Sequence, residues 1–148
     1  FLRGMLRYWR GVLALAENDF SEVIRLKANH TAAYFYRGKS RRYKFEIPDS
    51  LADFTRVIHL DPNHKEAYEA RGRLYLRLKK YDLARSDFQT ALDLDGEFAA
   101  ALDGRGRVSA SALRHDEAIK DYDRPSGSPP KWPNIISIAV WPITPRGA

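Results

Sequence analysis

Four arginines stand at one interval along the chain, Arg3, Arg37, Arg71 and Arg105, each followed by glycine and each 34 residues from the next. A row of guanidiniums at regular spacing could grip phosphates or carboxylates through paired N–H donors. Each of these arginines, however, has an aspartate 16 residues further on: Asp19, Asp53, Asp87 and Asp121. That match points to internal ion pairs that fix register, and it moves these arginines out of any binding site. A second row at the same interval, Lys39, Arg73 and Arg107, is expected to form a basic stripe that suits an acidic ligand. Residue types suited to catalysis are poorly organised. The four histidines, His30, His59, His64 and His115, form no HExxH, and neither GxSxG nor a phosphate-loop sequence occurs. Asp93 and Asp95 have no neighbouring base, and the absence of cysteine removes thiolate nucleophiles, disulfides and cysteine metal sites. The expected chemistry is recognition, with no enzymatic activity, no cofactor and no metal.

The elements that must carry these residues follow from the period itself. A second dipeptide keeps the same step: Asp19-Phe20, Asp53-Phe54, Asp87-Phe88 and Asp121-Tyr122. Two marks sharing an interval near 34 describe a tandem array of helical hairpins. The array divides into an incomplete unit (1–30), two full ones (31–64 and 65–98) and an incomplete fourth (99–124). In the third unit Ala67, Ala70, Leu74 and Leu78, then Leu83, Ala84, Phe88, Ala91 and Leu92, follow helical spacing. The polar Lys79-Lys80-Tyr81-Asp82 between them is expected to be the turn. Pro62 cannot continue a helix and closes the second unit.

These positions resemble the tetratricopeptide repeat. The small positions are Gly38, Gly72 and Gly106 in first helices, and Ala16, Ala84 and Ala118 in second helices. The aromatic position is Phe20, Phe54, Phe88 or Tyr122. The chain departs from the pattern at Ser50, which replaces the alanine, at Ala28 and Gly96, which replace the proline, and at Ser109, which replaces a large aromatic. The resemblance implies an all-α, right-handed solenoid of antiparallel helical hairpins, about three and a half units in seven or eight helices. It also implies a peptide-binding groove lined by the first helices. Carried onto this sequence, the groove would present Met5, Tyr8 and Trp9, then Phe35, Lys39, Arg42 and Tyr43. Further along it would present Glu66, Glu69, Arg73 and Arg77, and finally Asp103 and Arg107. The peptide-binding set is Trp9, Phe35, Lys39, Arg42, Tyr43, Arg73, Arg77 and Arg107. Chaperone-binding members of the family hold a terminal carboxylate with lysine, asparagine and arginine. The corresponding positions here are Phe35, Lys39, Ala70, Ala100 and Gly104, which argues against recognition of a chaperone C-terminus.

Composition bounds the partners. The 148 residues, 44% hydrophobic, are enough for a core, and the net charge of +6 favours acidic partners. The expected partner is a protein or peptide with acidic and apolar groups. Nucleic acid is the alternative, opposed by Glu66, Glu69 and Asp103, which interrupt a continuous positive track. Self-assembly through the tail or the open repeat ends is a third reading. A chain without cysteine folds equally well in the cytosol or the periplasm, with the cytosol slightly favoured. The opening Phe1 reads as a fragment or processed form. The apolar run Val12–Ala16 is too short for a signal peptide, and no stretch is long and apolar enough to span a membrane. Past Arg124 the proline-rich segment 125–133 excludes regular helix, and 135–141 suits an extended strand. That tail, 125–148, is expected to be ill-ordered, to cap the last repeat or to lie in a groove.

Overall fold

The computed structural model describes residues 1–122, with side chains as far as Lys120, so the expectations for the tail 125–148 and its stretch 135–141 lie outside the described residues. Seven α-helices follow one another: α1 (Leu2–Trp9), α2 (Leu13–Leu26), α3 (Thr31–Tyr43), α4 (Ile47–Leu60), α5 (Lys65–Arg77), α6 (Tyr81–Leu94) and α7 (Ala99–Tyr122). No strand occurs among the described residues. One compact unit runs from Phe1 to Ser111. A second opens at Ala112, and its described part is the last stretch of α7.

The turns within hairpins share one device. The residue after the C-cap of α1, α3 and α5 takes a left-handed backbone, at Gly11 (φ 75), Phe45 (φ 64) and Lys79 (φ 59). The next amide then bonds five residues back, Val12 to Arg7, Glu46 to Arg41 and Lys80 to Tyr75, each at 2.9 Å. This is the Schellman arrangement, which satisfies carbonyls that the helix end leaves open. Glycine enters it freely, whereas lysine and phenylalanine do so against a steric cost. The turn expected over Lys79–Asp82 is therefore shorter than predicted, because α6 already begins at Tyr81. The second helices α2, α4 and α6 end on extended residues, Lys27, Asp61 and Asp95. Asp61 and Asp95 each accept the amide two residues on at 3.1 Å, from Asn63 and Glu97. That side-chain turn ends the helix even where Gly96 stands in the place of proline.

Packing explains the small and large marks. A Cβ added to Gly4, Gly38 or Gly72 would lie 2.8, 3.0 or 3.1 Å from the ring of Phe20, Phe54 or Phe88 of the same hairpin. Each ring is fully buried and also reaches forward. Phe20 clusters with Ala33 and Tyr36, Phe54 with Ala70 and Leu74, and Phe88 with Ala101 and Val108. The core is thus a series of joints, each shared by two consecutive repeats. Ser50, in the alanine position, is fully buried and donates to the Gly38 carbonyl at 2.7 Å. Its hydroxyl is satisfied, so the departure from the pattern leaves no buried orphan.

The fourth unit differs from expectation. α7 runs without a break from Ala99 to Tyr122, so Gly106 and Ala118 lie on one helix and not on two. The position equivalent to Gly11, Phe45 and Lys79 is Leu113, preceded by Ser109-Ala110-Ser111-Ala112. Alanine propagates a helix well, and leucine has no means of entering the left-handed region cheaply. An added Cβ at Gly106 would meet nothing within 4 Å among the described residues, and the side chain of Tyr122, its expected partner, lies outside them. Gly104, two residues earlier, stands instead against the Phe88 ring of the preceding hairpin, as Ala70 stands against Phe54.

Candidate functional site

The arginine–aspartate offset of 16 is realised as ion pairs. Arg3, Arg37 and Arg71 meet Asp19, Asp53 and Asp87 at 2.7, 2.7 and 2.8 Å, and the three carboxylates are buried. Arg7 and Arg41, also 34 apart, add a second guanidinium to Asp19 and Asp53 at 2.8 and 2.9 Å. Burial raises the Asp19 carboxyl, but its bonds from Arg3 and Arg7 outweigh that and hold it below the usual carboxylate range. The side chain of Asp121 lies outside the described ones. A further tie escaped the sequence reading. Arg37, Arg71 and Arg105 each reach back 16 residues to the preceding repeat, to Ser21, Thr55 and Gln89, at 3.1, 3.2 and 2.9 Å. Those acceptors also recur every 34 residues, but three different residue types hid the pattern. The first arginine row is therefore a structural zip between repeats.

The second cation row is not a uniform stripe. Lys39 sits in an aromatic box, its Nζ 5.4 Å from the Tyr8 ring, 5.4 Å from Phe35 and 5.5 Å from Tyr36. Ring faces attract an ammonium, so Lys39 is partly satisfied within the protein. Arg73 is bound to Glu69 one helical turn earlier, and Asp103 lies 4.0 Å from both Arg73 and Arg107. Tyr8, at the floor of the box, is buried, and burial with its neighbour Tyr43 pushes its phenol up to about 12. A hydrogen bond from Arg42 lowers the phenol of Tyr43.

Five of the expected residues do converge. Arg42, Tyr43, Arg73, Arg77 and Arg107 line one open cleft of about 800 Å³ together with Phe45, Glu69, Lys79 and Tyr81. Its lining carries five cations against the one carboxylate of Glu69. Arg42 and Arg77 pair with no carboxylate among the described residues; each lies over a ring, Tyr43 at 5.2 Å and Phe45 at 4.6 Å. Lys39, Phe35 and Trp9 do not line this cleft. Phe35 packs between Phe54 and His64, with ring centroids 5.8 and 4.7 Å away, while Trp9 is exposed beside Tyr8. Phe45 and Lys79 were missed, because Lys79 reads only as part of a polar turn and Phe45 falls outside the groove positions of the first helices. Among the described residues no cluster of three or more histidine, aspartate or glutamate side chains could hold a metal ion, and no helix is long and apolar enough to cross a membrane.

Comparison with known proteins places this arrangement. The family described as tetratricopeptide repeat matches at residues 37–96 and 69–128. The fold is similar to the first repeat domain of Spaghetti (RPAP3) bound to the HSP90 peptide SRMEEVD, at 16% identity over 75% of this chain and 88% of that one, TM-score 0.73. It is similar to the Arabidopsis OM64 repeat domain, at 24% identity over 73% and 89%, TM-score 0.71. The TPR2B domain of yeast Sti1, in a complex with pHsp70, matches at 20% identity over 74% and 93%, TM-score 0.70. No curated protein sequence matches the chain. At these identities the structural likeness is one of fold.

Proposed function

The chain belongs to the tetratricopeptide repeat family, and from that premise we propose that it is a non-catalytic interaction module that holds a peptide segment of a protein partner. The observation that carries this reading is the open cleft with five cations and one carboxylate, edged by the exposed rings of Tyr43 and Phe45. Cations of this kind steer an acidic segment and rings anchor its apolar groups. The similar domains bound to an HSP90 peptide and to pHsp70 support a peptide as the ligand class. Phe35, Ala70, Ala100 and Gly104 at the clamp positions favour an internal acidic segment over a chaperone tail. The binding set is Arg42, Tyr43, Arg77 and Arg107, with Arg73 already engaged by Glu69. Lys39, Phe35 and Trp9 serve as the neighbouring edge.

Fluorescence anisotropy with a labelled peptide mixing glutamate, leucine and phenylalanine tests the reading. Replacing Arg42, Arg77 and Arg107 together by glutamate should weaken binding roughly 100-fold while leaving the thermal transition in place. Equal affinity of parent and triple variant would overturn the assignment of the cleft.

A further inference from the structure

Phe45 holds a position that the rest of the chain assigns by conformation. Its equivalents, Gly11 and Lys79, share its left-handed backbone, but neither is a bulky aromatic. The side chain gains little from burial, being 66% exposed, so core packing does not account for a phenylalanine there. A residue held in a sparsely populated backbone region, on the wall of a cleft, directs attention to what its side chain does. The ring lies under the Arg77 guanidinium, 4.6 Å from its carbon. Arg42 repeats the arrangement over Tyr43, at 5.2 Å. Both arginines thus lie over aromatic rings at one cleft, and neither has a carboxylate partner among the described residues. A guanidinium stacked on one face keeps its in-plane N–H edges for a ligand, and those edges match two carboxylate oxygens.

We propose that Phe45 and Tyr43 are platforms that hold Arg77 and Arg42 edge-on, so that the cleft takes its partner's aspartate or glutamate carboxylates by bidentate forks. Phe45 is the positioning residue of this device. The inference rests on the peptide-binding reading of the cleft and deepens it from general acidic character to a defined contact. Carboxylate is favoured over phosphate because Glu69 lines the same cleft. Glu69 would repel a dianion more strongly than a single negative charge.

The test measures affinity and thermal stability together, on the full chain, with two labelled peptides. One mixes glutamate, leucine and phenylalanine; the other carries phosphoserine in place of each glutamate. Arg77→Lys keeps the charge and loses the fork, and Phe45→Gly keeps the turn and loses the platform. Each should weaken binding of the glutamate peptide about tenfold, with the melting temperature of Phe45→Gly unchanged or raised because glycine accepts its backbone freely. Phe45→Tyr, which restores a ring, should recover the affinity. If Arg77→Lys and Phe45→Gly bind like the parent while the triple glutamate variant does not bind, the fork is wrong and the cleft stands. If the triple variant also binds like the parent, the cleft reading falls as well. Tighter binding of the phosphoserine peptide would overturn the carboxylate assignment.

Discussion

Asp53 shows what a single side chain does in this array. Its carboxylate is 2% exposed and accepts bonds from Arg37 at 3.0 and 2.7 Å and from Arg41 at 2.9 Å. Removing it leaves two guanidiniums facing each other in a site too closed for water to replace the anion. Asp53→Ala should therefore cost about 3 kcal/mol in urea unfolding, well beyond the worth of the pair itself. The exposed pair Arg25–Glu22, at 2.5 Å, offers the contrast, and Glu22→Ala should leave the same transition where it was. Tyr8 gives the pH counterpart. Its phenol is raised from 10.0 to about 12, so the folded state favours the neutral form. That contribution is complete below pH 10 and is lost as pH rises from 10 through 12, by roughly 2–3 kcal/mol at the limit. Tyr8→Phe should flatten this alkaline decline, read from unfolding curves at a series of pH values.

Among the helices, glycines two residues apart on α7 make opposite predictions. Gly104→Ala would drive a methyl to 2.3 Å from the Phe88 ring, and should lower stability by about 1–3 kcal/mol. Among the described residues Gly106→Ala meets open space inside a helix and should raise it by up to about 1 kcal/mol. Thermal melts of the two variants decide the matter, and equal shifts would contradict the packing of α7 on α6. The pair also shows what was legible in the sequence. The 34-residue step located the hairpins, the start of α3 at Thr31 and of α5 at Lys65, and the Arg–Asp ties, because each depends on spacing along one or two adjoining helices. Spacing alone cannot say which neighbour a glycine faces, so Gly106 carried the mark and Gly104 the contact. Likewise the row Lys39, Arg73, Arg107 is regular in number but not in surroundings. Aromatic rings take up the first, Glu69 the second, and Asp103 lies beside the third. Half of the cleft was readable from the family's groove positions. Phe45 was not, since its role depends on a backbone turn that its residue type disfavours.

Across the unit Phe1–Ser111, helices contact their sequence neighbours, with α1 and α3 also touching, and every core cluster joins adjacent repeats. Stability in such an array is a sum of repeat terms and nearest-neighbour joints. The repeats that hold α3 to α6 have a packed repeat on both sides, whereas α1 shows its outer residues Leu2 and Leu6 at 81% and 53% exposure. Leu6 is equivalent to Ser40, Leu74 and Val108, all of which are buried. Hydrogen exchange should accordingly be slowest in α3 to α6 and fastest in α1. Uniform protection from α1 to α6 would show instead that the unit opens all at once.

The backward tie from each repeat arginine has a chemical corollary. Arg37 and Arg71 are clasped from two sides and only 16% and 17% exposed, whereas Arg3 stands 71% exposed on its single aspartate. A dicarbonyl reagent that condenses with guanidinium groups would therefore modify Arg3 first. It would reach Arg37 and Arg71 only when the joint before each of them parts, so their labelling rates act as clocks for the separation of one repeat from the next.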